Sequence, residues 1–211
     1  MNFYLIKIVF FGIAIFVYFW RREQAREAKE RQSFYFNPDP NSILRLLPVE
    51  NRMDLKEEFR QLHLNSGKGS KPYLSEAGFR FPEPSHPILD RKITKDSLSK
   101  VLGQANLPVR FECSTGDQAG DFMLKKSHGY GWNGQGICFT FNKENLVNEI
   151  WIAGDLASVY PKMKPVLLDL GKKWNLLLAD SKRQKTISLS NEDALDEYYF
   201  REEEEVRSRM S

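Results

Sequence analysis

The first twenty residues, MNFYLIKIVFFGIAIFVYFW, form the longest apolar run of the chain and lead directly into Arg21. Lys7 is the only charged side chain within residues 3–20. As an α-helix these residues are roughly 27 Å long, which is close to the ~30 Å core of a bilayer. The run therefore predicts an uncleaved transmembrane anchor over residues 1–22, with lipid contacts through residues 3–20. A cleaved secretory signal and a buried core helix are alternatives, but Lys7 lies inside the run and no small-residue cleavage site follows it.

Residues 23–87 show no sustained pattern, and we predict a juxtamembrane helix followed by a linker region. Residues 21–32 are rich in good helix formers, and two nearby prolines end that helix. Residues 42–49 form a short apolar piece of undecided conformation. Apolar residues recur at helical spacing over residues 54–64 and predict a helix there.

Over residues 88–211 the pattern predicts one α+β domain. Thr94 is in position to cap a short helix over residues 95–102. Alternating apolar and polar residues predict six strands, over residues 109–114, 122–126, 136–142, 146–153, 175–179 and 186–190. A helix that begins near Lys162 separates the fourth strand from the fifth, and Asn191 caps a last helix. Because the strands follow one another without a βαβ series, we expect an antiparallel sheet with flanking helices, preceded by a single N-terminal transmembrane helix.

Composition and charge bear on location more than on chemistry. The chain has 211 residues and a net charge of +3, with 31 basic residues mixed among 28 acidic ones, so no basic stripe indicates nucleic acid as a partner. Residues 21–32 carry five Lys or Arg against three Glu, and the side of a span that carries the positive excess is usually cytoplasmic. We therefore expect a single-pass protein of the cell inner membrane, with its domain in the cytoplasm rather than the periplasm.

Cys113 and Cys138 are the only cysteines, too few for a disulfide framework. Both fall on the apolar phase of predicted strands, where a cysteine behaves as a small hydrophobe. We expect two buried free thiols, in keeping with a cytoplasmic domain. A single bridge in an oxidising compartment is the alternative, and the sequence alone does not decide between them.

The most conspicuous polar segment is GYGWNGQG, residues 129–136. It is not a phosphate loop, because no Lys-Ser or Lys-Thr pair follows it and a strand rather than a helix comes next. The glycines predict a tight turn or a β-bulge. The functional alternative is a recognition loop at the rim of the sheet, in which Tyr130, Trp132, Asn133 and Gln135 bind a partner.

Candidate catalytic and metal-binding residues are sparse. The three histidines do not have the spacing of a zinc site, and the carboxylates Asp117, Asp121 and Asp155 are too dispersed for a calcium loop. His128 with a loop carboxylate is the one arrangement that suggests a hydrolase, and a pairing of His128 with either cysteine is weaker because both cysteines are on the apolar phase. We predict no catalytic residue, no metal and no cofactor.

Three segments in residues 94–155, TKDSLSKVLGQ, VRFEC and GYGWNGQGICFTFNKENLVNEIWIAGD, carry a resemblance. Their order is similar to that of small α+β domains found among immunity proteins of bacterial polymorphic toxin systems. A looser likeness exists to the small lipoproteins that assist outer-membrane barrel assembly, although this chain has no lipobox cysteine after its apolar run. The resemblance implies a binding domain in a bacterial envelope setting and carries over no catalytic residue.

These observations lead to one expected function and two alternatives. We expect a membrane-anchored, non-enzymatic protein-binding domain, such as an immunity protein whose partner is a toxin. An immunity protein covers its toxin and needs a complementary surface rather than a catalytic group. The alternatives are a membrane-tethered envelope assembly or scaffold factor, and a hydrolase that uses His128 and a loop carboxylate.

Overall fold

The structure is a computed structural model that describes residues 34–36, 43–65, 74–75, 78–79, 83–115, 122–132, 135–154 and 160–199. The strands in these ranges are β1 (Phe34–Phe36), β2 (Ile43–Pro48), β3 (Leu74–Ser75), β4 (Gly78–Phe79), β5 (Val109–Arg110), β6 (Cys113–Thr115), β7 (Phe122–Leu124), β8 (Ser127–Trp132), β9 (Gln135–Phe141), β10 (Val147–Ala153), β11 (Leu176–Asp180) and β12 (Lys185–Ser188). The α-helices are α1 (Arg52–Asn65), α2 (Lys95–Leu102), α3 (Tyr160–Trp174) and α4 (residues 192–199).

Seven of these strands form one antiparallel sheet, in the order β12-β11-β2-β10-β9-β8-β5. Strand β2 pairs with both β10 and β11, so that Arg45 lies between Trp151 and Ala179. A second sheet, in the order β1-β6-β7, has three strands, and β1 is parallel to β6. Because successive residues of a strand point to opposite faces, each strand of the large sheet supplies two different layers.

One face of the large sheet, which we call the helical face, carries the main apolar core. Helices α2, α3 and α4 cover it and contribute Leu98, Leu167 and Leu195, which are fully buried. Ile137 and Ile152 face them from β9 and β10. Apolar residues at helical spacing on the helices and at every second position on the strands therefore meet in one continuous core.

The opposite face is covered in two pieces. The three-stranded sheet covers one part, and we call the buried residues there the disulfide cluster: Phe34, Cys113, Cys138, Trp151 and Ala153. Helix α1 covers the other part with a second small cluster: Leu47, Leu55, Phe59, Leu177 and Ala179. Arg45 lies in the sheet between these two clusters, and its guanidinium pairs with the Glu58 carboxylate of α1 at 2.5 Å.

A disulfide bond joins Cys113 of β6 to Cys138 of β9 and so links the two sheets. Their Cα atoms are 6.9 Å apart, and both side chains are fully buried. The prediction of two free thiols is therefore wrong, although their burial was predicted correctly. Alternation along one strand shows that a cysteine faces the core, but it does not show which residue of another sheet faces it.

Two predicted boundaries are also corrected. The segment predicted as one strand over residues 109–114 is split into β5 and β6, which belong to different sheets. The domain was predicted to begin at residue 88, and residues 23–87 were predicted to form a juxtamembrane helix and a linker region. Strand β2 lies inside the seven-stranded sheet and Phe34 lies in the disulfide cluster, so parts of that region belong to the folded domain.

Several local predictions are confirmed. The fold is α+β with an antiparallel sheet, and the hairpin of β9 and β10 lies where the alternation places it. The Thr94 hydroxyl caps α2 by accepting a hydrogen bond from the backbone N–H of Ser97 at 3.2 Å. The Asn191 side chain does the same for Ala194 at 3.1 Å. The predicted anchor, residues 1–22, lies outside the described ranges, and no helix inside them is both long and apolar enough to cross a bilayer.

Candidate functional site

The glycine-rich segment forms the end of the hairpin between β8 and β9. Gly131 pairs with Gly136, and Trp132 pairs with Gln135. The two glycines have φ angles of 141° and 149°, which side-chain-bearing residues rarely adopt. A Cβ on either glycine would overlap a backbone carbonyl oxygen of the opposite strand. Only glycine allows these strands to approach so closely, so the structural role predicted for the glycines is confirmed at positions 131 and 136.

Gly129 and Gly136 also form a socket for an aromatic side chain from far away in the sequence. A Cβ on Gly129 would lie 2.5 Å from Cβ of Phe34, and one on Gly136 would lie 3.0 Å from its ring. Phe34 is fully buried there. Sequence reasoning missed this role, because nothing local in GYGWNGQG identifies the side chain that fills the space.

Tyr130 does not belong to the surface on which it was predicted. It is only 4% exposed and lies on the helical face, where its ring stacks on Phe139 with centroids 6.4 Å apart. Its hydroxyl donates a hydrogen bond to the Ser99 carbonyl oxygen of α2 at 3.4 Å. The prediction of a partner-binding Tyr130 is corrected: no strand was predicted between residues 126 and 136, but residues 127–132 form β8, and the alternation of this strand turns the Tyr130 ring into the core.

Trp132 is the predicted site residue that the structure places at the surface. Its side chain is 41% exposed, and the Lys162 ammonium of α3 lies 5.9 Å from the ring centroid. Gln135, directly opposite, is half-buried. Asn133 lies outside the described residues. Among the described residues, the surface around Trp132 therefore includes its large ring, the amide of Gln135 and the ammonium of Lys162, and paired strands support it.

His128, at the other end of β8, is surrounded by phenylalanine rings. Its ring centroid is 5.6 Å from that of Phe111, 5.7 Å from that of Phe139 and 5.3 Å from that of Phe141. Burial is the main reason that the His128 pKa is lowered below 6.5, and the nearby Lys95 charge lowers it further. The imidazole is consequently neutral at pH 7, and its contacts are those of a packed aromatic cluster.

Exposed apolar side chains adjoin this cluster at the edge of the large sheet. Phe111 is 73% exposed and Val109 is 46% exposed. Val109 pairs with Tyr130 across β5 and β8, which places the two residues on the same face of the sheet. Single exposed apolar residues are normal on protein surfaces. Val109 and Phe111, however, lie two positions apart, and Phe111 contacts the half-buried ring of His128.

A cavity of about 550 Å³ lies beside Trp151 of the disulfide cluster. Arg45, Glu149 and Trp151 line it from the strands, and Pro84 and Pro87 line it from the segment before α2. The charge of Arg45 is matched by Glu58, so the ion pair joins α1 to the sheet. Such a pair contributes to a specific arrangement more than to net stability.

Among the described residues, no group of three or more His, Cys, Asp or Glu side chains is arranged to hold a metal ion. Asp117, Asp121 and Asp155, considered above as loop carboxylates, lie outside the described ranges. The carboxylate whose charge acts on His128 is that of Asp96, in the first turn of α2.

No family model, curated protein or solved structure matches this chain. The resemblance of residues 94–155 to immunity-protein domains and barrel-assembly lipoproteins stays a prediction, and the function is inferred from the residues themselves.

Proposed function

We propose that this chain is a membrane-tethered, non-enzymatic protein-binding domain, such as an immunity protein against a bacterial toxin, whose partner surface is the end of the β8–β9 hairpin. The observation that carries the proposal is the exposed ring of Trp132. Tryptophan is enriched among residues that dominate binding energy, and a large ring on the surface of a folded domain retains much of its area for a partner.

The support beneath Trp132 favours binding by a rigid surface. Its strand is paired with β9 through Gln135, and the adjacent glycine pair holds the two strands close together. Little conformational entropy is lost when such a preformed surface binds, so more of the contact energy appears as affinity. The ammonium of Lys162 near the ring adds a positive charge, which complements a partner with a carboxylate at the edge of its contact surface.

The disulfide bears on the compartment in which the domain works. Disulfides persist in oxidising compartments and are rare in the cytoplasm. We therefore propose that the domain faces the oxidising side of the membrane, in place of the cytoplasmic location expected from the positive charges of residues 21–32. Thiol alkylation of denatured protein from quenched cells tests this: Cys113 and Cys138 should be labelled only after reduction, and labelling without reductant would contradict it.

The partner surface is tested by photo-crosslinking in native cells with the full chain. The photoreactive residue benzoylphenylalanine replaces Trp132 in one variant and Met53 in a control variant. Met53 is a suitable control because it is 69% exposed and lies on α1, which covers the other face of the sheet. We expect protein adducts at position 132 and none at position 53. With the partner purified, Trp132→Ala should weaken binding by about 2 kcal/mol, or roughly thirtyfold, and Met53→Ala should not.

Equal adduct yields at the two positions, or unchanged affinity of Trp132→Ala, would rule out this surface. The same experiment separates an immunity protein from an envelope assembly factor, because both use a binding surface and differ in the partner that it captures. A secreted toxin as the crosslinked protein supports the first, and a component of the envelope assembly apparatus supports the second.

A further inference from the structure

The chain enters the described domain beside its most exposed aromatic residue. Phe34 is the first described residue, and its backbone N–H donates a hydrogen bond to the Glu112 carbonyl oxygen at 2.7 Å. Phe111, the neighbour of Glu112, is 73% exposed. The backbone nitrogen of Phe34, to which the preceding residue is bonded, therefore lies beside Glu112, the neighbour of Phe111.

The length of the segment before Phe34 limits how far Phe111 lies from the end of the predicted anchor. Thirteen residues, 21–33, separate Trp20 from Phe34. They span roughly 20 Å as a helix and at most about 45 Å when extended. A tether of this length allows the edge of the sheet near Phe111 to reach a membrane that holds the predicted anchor.

The charges around this edge suit an anionic membrane surface. Among the described residues, five basic side chains lie on the turns and strands nearest to it: Lys95, Arg110, Lys125, Lys126 and Lys143. Three described acidic side chains accompany them: Asp96, Glu112 and Glu144. The Lys126 carbonyl oxygen accepts a hydrogen bond from the backbone N–H of Phe141, so the lysine turn adjoins the aromatic cluster, and Lys95 lies 5.1 Å above the Phe141 ring.

We propose that this edge, comprising Val109, Phe111, Lys125 and Lys126, docks onto the phospholipid surface of the membrane that anchors the chain. The inference rests on the proposed anchor over residues 1–22. Exposed aromatic and apolar side chains enter the boundary between head groups and acyl chains, while lysines remain among the anionic head groups. Trp132 is four residues beyond His128 and so about 13 Å further along β8, outside the edge that docks.

The test uses the full chain in vesicles that contain phosphatidylglycerol. Benzoylphenylalanine replaces Phe111 in one variant and, as controls, Trp132 or Met53, which are also exposed. After irradiation, mass spectrometry measures the fraction of protein that carries a lipid adduct. We expect at least a fivefold higher lipid-adduct yield at position 111 than at either control position, and a lower yield in vesicles of phosphatidylcholine alone. Near-ultraviolet circular dichroism confirms that each variant is folded.

Equal lipid-adduct yields at all three positions would overturn the docking proposal, as would adducts at position 111 that join only two copies of the chain. Carbonate extraction distinguishes this failure from failure of the anchor. A chain that stays in the vesicles but gives no excess lipid adduct at position 111 contradicts docking alone. A chain that carbonate removes contradicts both the anchor and the docking that rests on it.

Discussion

The two faces of the seven-stranded sheet are held together in different ways. The helical face has one continuous apolar cluster under three helices. The opposite face has two small clusters with the Arg45–Glu58 ion pair between them, and one of these clusters contains the disulfide. Apolar burial is non-directional, so the helical core tolerates modest changes in shape, whereas the opposite face relies on a few contacts that each need a particular partner.

This difference also separates packing from recognition among the aromatic residues of the hairpin. Phe34 and Trp151 are buried in the disulfide cluster, and Tyr130 is buried in the core on the helical face. Trp132, beyond the paired glycines, belongs to neither cluster and is 41% exposed. The described residues of the segment GYGWNGQG are thus mostly structural, and their contribution to a surface is concentrated in one ring.

The largest expected effect comes from removing the ring of Trp151, which is 7% exposed in the disulfide cluster. Trp151→Ala should lower the free energy of unfolding by about 3–5 kcal/mol, because it removes a buried ring and leaves a cavity. Trp132→Ala is the matched control and should change stability by no more than about 0.5 kcal/mol. Urea unfolding followed by circular dichroism measures both, and equal losses would mean that Trp132 is also a packing residue.

Breaking the link between the sheets should have the next largest effect. Replacing both Cys113 and Cys138 by serine should cost about 2–4 kcal/mol, since the bridge restricts the unfolded chain between residues 25 positions apart. Addition of a reductant to the wild-type protein should give a similar loss in thermal or urea unfolding. The serine variant is the control, because its stability should not respond to reductant. A wild-type protein that is equally insensitive would contradict the bridge.

A smaller loss is expected from filling the glycine socket. Gly129→Ala places a Cβ 2.5 Å from Cβ of Phe34, and overpacking of this kind costs about 1–3 kcal/mol. Gly103→Ala is the matched control, because no heavy atom lies within 4 Å of its added Cβ and its φ is −59°. Its urea midpoint should stay the same or rise. Similar midpoints for the two variants would show that the pocket around Phe34 accommodates the added methyl group.

The smallest effect concerns pH and His128 on the helical face. Burial lowers its folded-state pKa below 6.5, so the unfolded chain binds the proton more readily. The contribution of neutral His128 to stability should therefore be fully present above pH 6.5. It should be lost as the pH falls from 6.5 through the lower folded-state pKa. Urea unfolding at about pH 7.5 and about pH 5.5 should show this loss in the wild type and a smaller one in His128→Gln. Equal losses in the two proteins would assign the pH dependence to other groups.

Two carboxylates on other parts of the molecule titrate in a different range. Hydrogen bonds from Lys164 lower the pKa of Asp196 below 3.8, and hydrogen bonds from Arg91 lower the pKa of Glu50 below 4.5. Their stabilising contribution is present above these values and is lost as the pH falls through the lower folded-state values. The pH interval chosen for His128 lies above both of these pKa values. Asp196 and Glu50 therefore do not contribute to the difference in stability between the wild type and His128→Gln.

The amino-acid sequence by itself determined the local elements and the fold class. The Thr94 and Asn191 caps, the hairpin of β9 and β10 and the antiparallel α+β organisation follow from residues within a few positions of one another. Caps act within one helical turn and alternation acts within one strand, so both signals are complete in a short stretch of sequence.

Only the tertiary structure decided which distant residues meet. It brought Phe34 to the glycines of β8 and β9, paired Cys113 with Cys138, placed β2 inside the large sheet and turned Tyr130 into the core. Each of these depends on strand order and register between segments far apart in the chain. A shift of one residue in register exchanges the two faces of a strand, so local alternation alone cannot assign a residue to the core or to the partner surface.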